Sequence, residues 1–163
     1  TDPPPMKTTT KLLHAIAFVC IGAVGVALVS RHVFGMQPCA WCVLQRLIYI
    51  VIALACWVGV LILRPGLGHR IAAGVALILS LLGVTAAWYQ YSVAAHMFSC
   101  AQTFADRFMV ASGLDANLPW LFGIYATCMD ARINLMGLEY ALWSMGLFAI
   151  LAFLSVAVLI RRR

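Results

Sequence analysis

The sequence predicts an all-α integral membrane protein whose four helices form a bundle. Of its 163 residues, 64% are hydrophobic and only 10% are charged. A soluble domain is about 45–50% apolar and about 25% charged, so these charges are too few to cover a soluble surface. Four long segments are uncharged apart from Arg46 at the start of the second. Each has about the length that a helix needs to cross a bilayer, roughly 20 residues.

The predicted spans lie near residues 12–30, 45–63, 71–95 and 140–160. Helices are expected because backbone groups in lipid must pair within their own segment, and because the segments lack the alternation of transmembrane strands.

Residues 12–163 are expected to form a single membrane domain after an N-terminal segment, 1–11. Its first five residues resemble a disordered leader or a cloning remnant. The first span is too long for a signal peptide and ends in Arg31-His32 instead of small residues. We therefore expect it to stay uncleaved.

The distribution of Lys and Arg predicts the orientation. Seven of them lie in three segments that share one side of the membrane: 1–11, 64–70 and 161–163. Only four lie in the longer connections 31–46 and 96–139. Because the denser side is cytoplasmic, both termini should be cytoplasmic and both longer connections periplasmic, in a bacterial inner membrane. The net charge of +6 is explained in this way, so no nucleic-acid partner is expected.

The second periplasmic loop is long and is predicted to carry a short amphipathic helix near residues 101–112. Three apolar residues there have helical spacing: Phe104, Phe108 and Met109. The opposite face is polar: Gln102, Asp106 and Ser112. Such a helix could lie on the membrane surface or pack against the bundle.

The six cysteines divide into two groups. Cys20 and Cys56 fall inside spans, where a cysteine usually behaves as a small hydrophobic residue. The other four fall on the outward side: Cys39, Cys42, Cys100 and Cys128. The periplasm is oxidising, so these thiols are candidates for disulfide chemistry.

Cys39-Ala40-Trp41-Cys42 is a C-x-x-C motif with three possible roles. A zinc site usually needs a second pair of ligands, but Cys100 and Cys128 are 28 residues apart, and His32 and His96 have no recognisable spacing. A structural disulfide is possible, although so small a loop constrains the unfolded chain little. A redox dithiol is favoured because thiols in this motif ionise readily, and no metal is predicted.

The surroundings of the motif favour thiolate chemistry. Pro38 precedes it and the second span begins after it, which places the pair at or just before a helix N-terminus, where backbone N–H groups stabilise an anion. Arg46 follows Cys42 by four residues and would share its face if the helix starts early enough. An Arg at the membrane boundary is a functional candidate; alternatively, it anchors the helix to lipid headgroups.

Cys100 and Cys128 enclose much of the second loop. As a static disulfide they would tether it. As a second redox pair they would present a disulfide to a water-soluble protein, since exchange requires an attacking thiolate to reach one sulfur.

These features together resemble the disulfide bond formation protein B (DsbB) family. The resemblance rests on four spans, a C-x-x-C at the start of the second with Arg46 four residues later, and a second cysteine pair in a long loop. It continues through Leu135-Met136-Gly137-Leu138-Glu139-Tyr140 and Trp143, which is similar to the family's Leu-Gly-Leu segment before its last span.

The resemblance implies a protein-dithiol:quinone oxidoreductase. A periplasmic DsbA-type thiol oxidase would attack a Cys100–Cys128 disulfide, electrons would pass to Cys39–Cys42, and a membrane quinone, ubiquinone or menaquinone, would accept them beside Cys42 and Arg46. His96 is a further candidate for quinone contact.

The chain departs from the family pattern at two positions. Gln45 stands where many members have an acidic residue, which removes a charge that could compete for Arg46. Many members also have a histidine near the outer end of the third span, and here His96 lies only four residues before Cys100.

Two alternatives remain open from the sequence. A protein similar to vitamin K epoxide reductase would share the chemistry, but its C-x-x-C usually lies late in the chain. A membrane scaffold with two structural disulfides would have no catalytic activity.

Overall fold

The computed structural model describes residues 4–33, 35, 40–62, 66–92, 104–124, 134–135 and 138–160. The elements in chain order are α1 (Pro4–His32), α2 (Ala40–Leu61), α3 (Leu67–Ser92), α4 (Phe104–Ala111), α5 (Leu114–Asn117), α6 (Pro119–Phe122), β1 (Asn134–Leu135), β2 (Leu138–Glu139) and α7 (Tyr140–Ile160). Within these residues four helices, α1, α2, α3 and α7, are long and apolar enough to cross a membrane. The predicted all-α membrane fold is confirmed, and β1 and β2 form only a two-residue antiparallel ladder.

Three of the spanning helices, α1, α2 and α3, begin earlier than the apolar segments that predict them, whereas α7 has the predicted bounds 140–160. α1 begins at Pro4, within the segment that the sequence suggests is a leader, because proline is well suited to the first turn of a helix. α2 begins at Ala40, and this early start places both Cys42 and Arg46 inside the helix. The predicted third span, 71–95, is helical as far as Ser92, and residues 93–95 lie outside the described residues.

Small residues allow the spanning helices to approach closely. α3 packs against both α2 and α7, and α2 packs against α1. The buried face of α3 consists largely of small side chains at helical spacing: Gly68, Ala72, Ala73, Ala76, Ser80, Gly83, Ala86 and Ala87. In membranes such residues let backbones meet and gain van der Waals contact. Large side chains cover the outer surface, among them Phe18, Ile78 and Phe153, as lipid contact requires.

One aromatic pair fills the space that a glycine leaves between α2, α3 and α7. The rings of Tyr49 and Phe148 are stacked, with centroids 4.2 Å apart and planes 5° from parallel. The edge of the Phe148 ring lies so close to Gly83 that a Cβ there would overlap it. Gly83 is therefore required by packing.

The helix predicted in the second loop is present as α4 and contacts α2. Among the α4 side chains that the structure describes, Ala105 and Met109 are buried, and Met109 packs with Val43 and Phe122. Phe108, predicted on the apolar face, is 40% exposed. These contacts favour packing against the bundle over a helix that only lies on the membrane surface.

Two arginines and one histidine, near the ends of α1 and α2, hydrogen-bond to the main-chain carbonyls of α6. Arg31 Nη1 donates to Pro119 O at 2.9 Å and to Trp120 O at 3.0 Å. His32 Nε2 lies 3.1 Å from Trp120 O, and Arg46 Nη1 donates to Leu121 O at 2.9 Å. We call these contacts the carbonyl tether; they hold α6 against α1 and α2.

Candidate functional site

Cys42 lies in the first turn of α2, which begins at Ala40. The first N–H groups of a helix have no partner within the helix and favour negative charge beside them. The Cys42 side chain is half-buried. Its predicted partner Cys39 lies outside the described residues, as do Cys100, Cys128 and His96.

Arg46 lies one helical turn after Cys42, on the same face of α2. It is only 6% exposed and donates to Leu121 O. An arginine that anchors a helix to headgroups extends its charged end into water, so this burial argues against the anchoring alternative. The structure thus brings together two of the predicted site residues, a thiol and a buried cation.

A chain of hydrogen bonds leads from the sulfur of Cys42 into the bundle. Gln90 Nε2 on α3 donates to Cys42 Sγ at 3.1 Å, and Gln45 Nε2 donates to Gln90 Oε1 at 2.6 Å. Ser144 Oγ on α7 donates to Gln45 Oε1 at 2.6 Å. Tyr49 OH lies 3.1 Å from Ser144 Oγ. We call Gln90, Gln45, Ser144 and Tyr49 the amide network.

All four side chains of the amide network are buried. A buried polar group costs free energy unless it is hydrogen-bonded, and here each bond satisfies groups from two different helices. The network therefore joins α2, α3 and α7 at the level of Cys42.

An aromatic surface lies beside Cys42. Trp41 and Tyr89 have ring centroids 4.6 Å apart, and they pack with the small residues Ala86 and Ala105. The Trp41 indole N–H is buried and has no hydrogen-bond acceptor among the described residues. Cys42 itself packs against this cluster.

Cys20 and Cys56 are fully buried in the main core between the spans, and neither forms a disulfide with a described residue. Their predicted role as small hydrophobic residues is confirmed. In the part of the chain that the structure describes, no three His, Cys, Asp or Glu side chains are grouped to hold a metal ion.

The contact of Gln90 with Cys42 is not predicted from the sequence. A signal was available, because Gln90 and Ser144 are polar residues inside apolar spans and such residues are often functional. The sequence distinguishes Gln45 only as a departure from the family pattern. The hydrogen bonds among Gln45, Gln90 and Ser144 depend on how α2, α3 and α7 pack. Spacing along the chain does not predict that packing.

The spanning helices, with a half-buried thiol beside a buried arginine at the end of one of them, define a membrane-embedded thiol protein. The family model "Disulfide bond formation protein DsbB" matches residues 9–158. Similar curated proteins include "Disulfide bond formation protein B" of Nitrosospira multiformis, 31% identical over 97% of this chain and 95% of that protein. The protein of the same name from Herminiimonas arsenicoxydans is 30% identical over 97% and 99%. "Disulfide bond formation protein B 1" of Pseudomonas aeruginosa is 29% identical over 97% and 99%.

The chain belongs to the DsbB family, so it is a disulfide-forming oxidoreductase of the membrane. This membership confirms the resemblance read from the cysteines and the spans.

Proposed function

We propose that this protein reoxidises a periplasmic DsbA-type dithiol and passes the electrons to ubiquinone or menaquinone in the membrane. One observation carries the proposal: in a chain of the DsbB family, Cys42 lies at the end of a span one turn from the buried cation of Arg46. Quinones dissolve in lipid, so a thiol that reduces them should lie at the membrane boundary.

The protein steps are two successive disulfide exchanges. A thiolate of the partner attacks Cys100 of a Cys100–Cys128 disulfide and forms a mixed disulfide, which the second partner thiol resolves. The partner leaves oxidised, and Cys100 and Cys128 leave this step as thiols. The same exchange then reduces a Cys39–Cys42 disulfide and restores the Cys100–Cys128 bond. Two electrons and two protons have moved from the partner to Cys39 and Cys42.

The residues around Cys42 fit a flat ring with carbonyl oxygens. Trp41 and Tyr89 offer an aromatic surface, and the buried Trp41 N–H and the Arg46 guanidinium are hydrogen-bond donors. When bound, a quinone accepts two electrons and two protons. The chain's own part is to hold the Cys42 thiolate beside Arg46 and to donate hydrogen bonds from Arg46; His96 remains a proposed contact.

The proposed orientation places both termini in the cytoplasm of a bacterium and both redox loops in the periplasm. The distribution of Lys and Arg supports it. It also gives Cys39, Cys42, Cys100 and Cys128 an oxidising compartment.

The decisive experiment mixes a purified, reduced DsbA-type protein with this chain in detergent and ubiquinone, and follows quinone absorbance. We expect many turnovers per molecule of the chain, each oxidising one partner dithiol. A scaffold with structural disulfides would leave the quinone oxidised, and that result would refute the proposal. Menaquinone in a parallel reaction identifies the preferred quinone.

Arg46→Met is expected to raise the KM for quinone by about 10-fold or more, because a hydrogen bond to a charged group contributes about 1.5–3 kcal/mol. Steady-state kinetics at varied quinone concentration measure the change. Arg31→Met is the matched control, since Arg31 shares the carbonyl tether but bonds to Pro119 and Trp120. An equal rise in KM in both variants would assign the effect to the tether and contradict a quinone role for Arg46.

A further inference from the structure

We propose that Gln90 is a catalytic residue that donates a hydrogen bond to the sulfur of Cys42, and that Gln45, Ser144 and Tyr49 are positioning residues that hold its amide in the orientation favouring the thiolate. This inference rests on the proposed function, in which Cys42 is the thiol that reacts with the quinone. It concerns how the uncharged side chains of the amide network favour ionisation of the Cys42 thiol.

The hydrogen bonds of the amide network all run in one direction, towards Cys42. Ser144 donates its hydroxyl hydrogen to Gln45 Oε1, and an amide that accepts at its oxygen must present its NH₂ group on the other side. The Gln45 NH₂ group therefore meets Gln90 Oε1. The same reasoning leaves the Gln90 NH₂ group facing Cys42 Sγ. Both amides thus direct their donors towards the sulfur.

A donor directed at sulfur distinguishes between the states of Cys42. A thiolate accepts a hydrogen bond from the Gln90 NH₂ group, and bonds to an ionised acceptor are roughly twice as strong as neutral ones. A neutral thiol accepts such a bond only weakly, so the Gln90 donor favours the thiolate over the thiol. Reversal of the network requires both amides to turn and the Ser144 hydroxyl to change from donor to acceptor, so the three bonds behind Gln90 must be remade together.

The amide network carries no charge, and this favours the thiolate form of Cys42. A carboxylate at the position of Gln45 would place a negative charge two hydrogen bonds away from the Cys42 thiolate. Two nearby negative charges each disfavour the ionisation of the other group. Gln45 accepts a hydrogen bond from Ser144 and donates one to Gln90 without adding a negative charge that would repel the thiolate. In the low dielectric of the buried site the hydrogen bonds also polarise one another. The positive charge comes separately, from Arg46 on the same helix.

A purely structural role is the competing explanation. Amide and hydroxyl side chains commonly join helices in membranes, and the network does connect α2, α3 and α7. Such a role predicts that its loss lowers stability but leaves the reactivity of Cys42 unchanged. Thiolate reactivity therefore separates the two explanations, because the thiolate and not the thiol is alkylated.

The test measures iodoacetamide alkylation of Cys42 in the reduced full-length protein at about pH 7, with mass spectrometry to identify the modified peptide. Gln90→Met keeps a side chain of similar size and removes the donor. We expect alkylation of Cys42 to slow by about 10-fold, the effect of losing one hydrogen bond to a charged group. Equal rates for wild type and variant after denaturation would show that the difference arises in the folded protein.

Ser144→Ala provides a second, milder variant that keeps Gln90 and its contact. It removes the donor that orients Gln45, and we expect slowing by about threefold, since neutral hydrogen bonds contribute about 0.5–1.5 kcal/mol. Ser80→Ala is the matched control, because Ser80 is buried on α3 and its hydroxyl has no hydrogen-bond partner among the described residues. It should leave the alkylation rate unchanged.

Unchanged alkylation in folded Gln90→Met, or in Ser144→Ala if Gln90→Met does not fold, would overturn the inference and leave the network a structural role only. The readout needs no quinone and no protein partner. Failure here is therefore distinguishable from failure of the proposed function, which would appear as absent quinone reduction by the wild-type chain.

Discussion

Cys42→Ser is expected to abolish quinone reduction with every electron donor, whereas Cys100→Ser is expected to abolish it only with the protein partner. A serine hydroxyl cannot form a disulfide, so Cys42→Ser removes the thiol proposed to face the quinone, and Cys39→Ser should have the same effect. Cys100→Ser removes the sulfur that the partner attacks but leaves Cys39 and Cys42 in place. A small dithiol such as dithiothreitol should still reduce that pair and, through it, the quinone.

The measurement is quinone absorbance, with the reduced partner and with dithiothreitol in separate reactions. Cys20→Ala and Cys56→Ala are the matched controls, because both thiols are buried in the core away from the site, and we expect near-normal rates for each. Full turnover of the partner by Cys100→Ser would refute the two-pair relay. Loss of activity with both donors in Cys100→Ser would also contradict the separation of roles.

Gly83→Ala is expected to destabilise the bundle by about 1–3 kcal/mol, the usual cost of overpacking a core. A Cβ at this position would overlap the ring of Phe148. The ring cannot simply move aside, because it is stacked on Tyr49, whose hydroxyl contacts Ser144 in the amide network. The substitution should therefore disturb packing and network together.

Thermal unfolding in detergent measures the loss. Gly74→Ala is the matched control: Gly74 lies on the same helix, and a Cβ there would meet nothing within 4 Å. Alanine favours the helix over glycine by about 1 kcal/mol, so this control should be neutral or slightly stabilising. Equal melting temperatures for the two variants would show that the contact of Gly83 with Phe148 is not needed.

The sequence predicts the spans well because lipid imposes a simple rule: a helix that crosses the bilayer must be long and apolar. The same rule exposes Arg46 as an exception, and the order of Arg46 and the four outward cysteines resembles that of the family. The early start of α2 at Ala40 is less predictable, since apolar content cannot distinguish a helical first turn from a preceding loop. Yet this start is what places Cys42 and Arg46 on one helical face.

The amide network could not be predicted from local patterns. Gln45, Gln90 and Ser144 are far apart in the chain and meet only because the small residues of α3 bring three helices into contact. The outward position of Phe108 is similar: its spacing resembles that of Met109, but only Met109 faces Val43 and Phe122. Tertiary packing decides between two apolar side chains that the sequence treats alike.

The carbonyl tether has a consequence for how this part of the protein can evolve. Arg31, His32 and Arg46 bind main-chain oxygens, which every amino acid possesses. The side chains at positions 119, 120 and 121 can consequently change without loss of these bonds, provided that the local helix is retained. Mutation can thus alter the outward-facing surface of α6, including the exposed Trp120, while its attachment to the bundle is preserved. Relatives should accordingly vary more at the exposed position of Trp120 than in Arg31, His32 and Arg46, which hold α6.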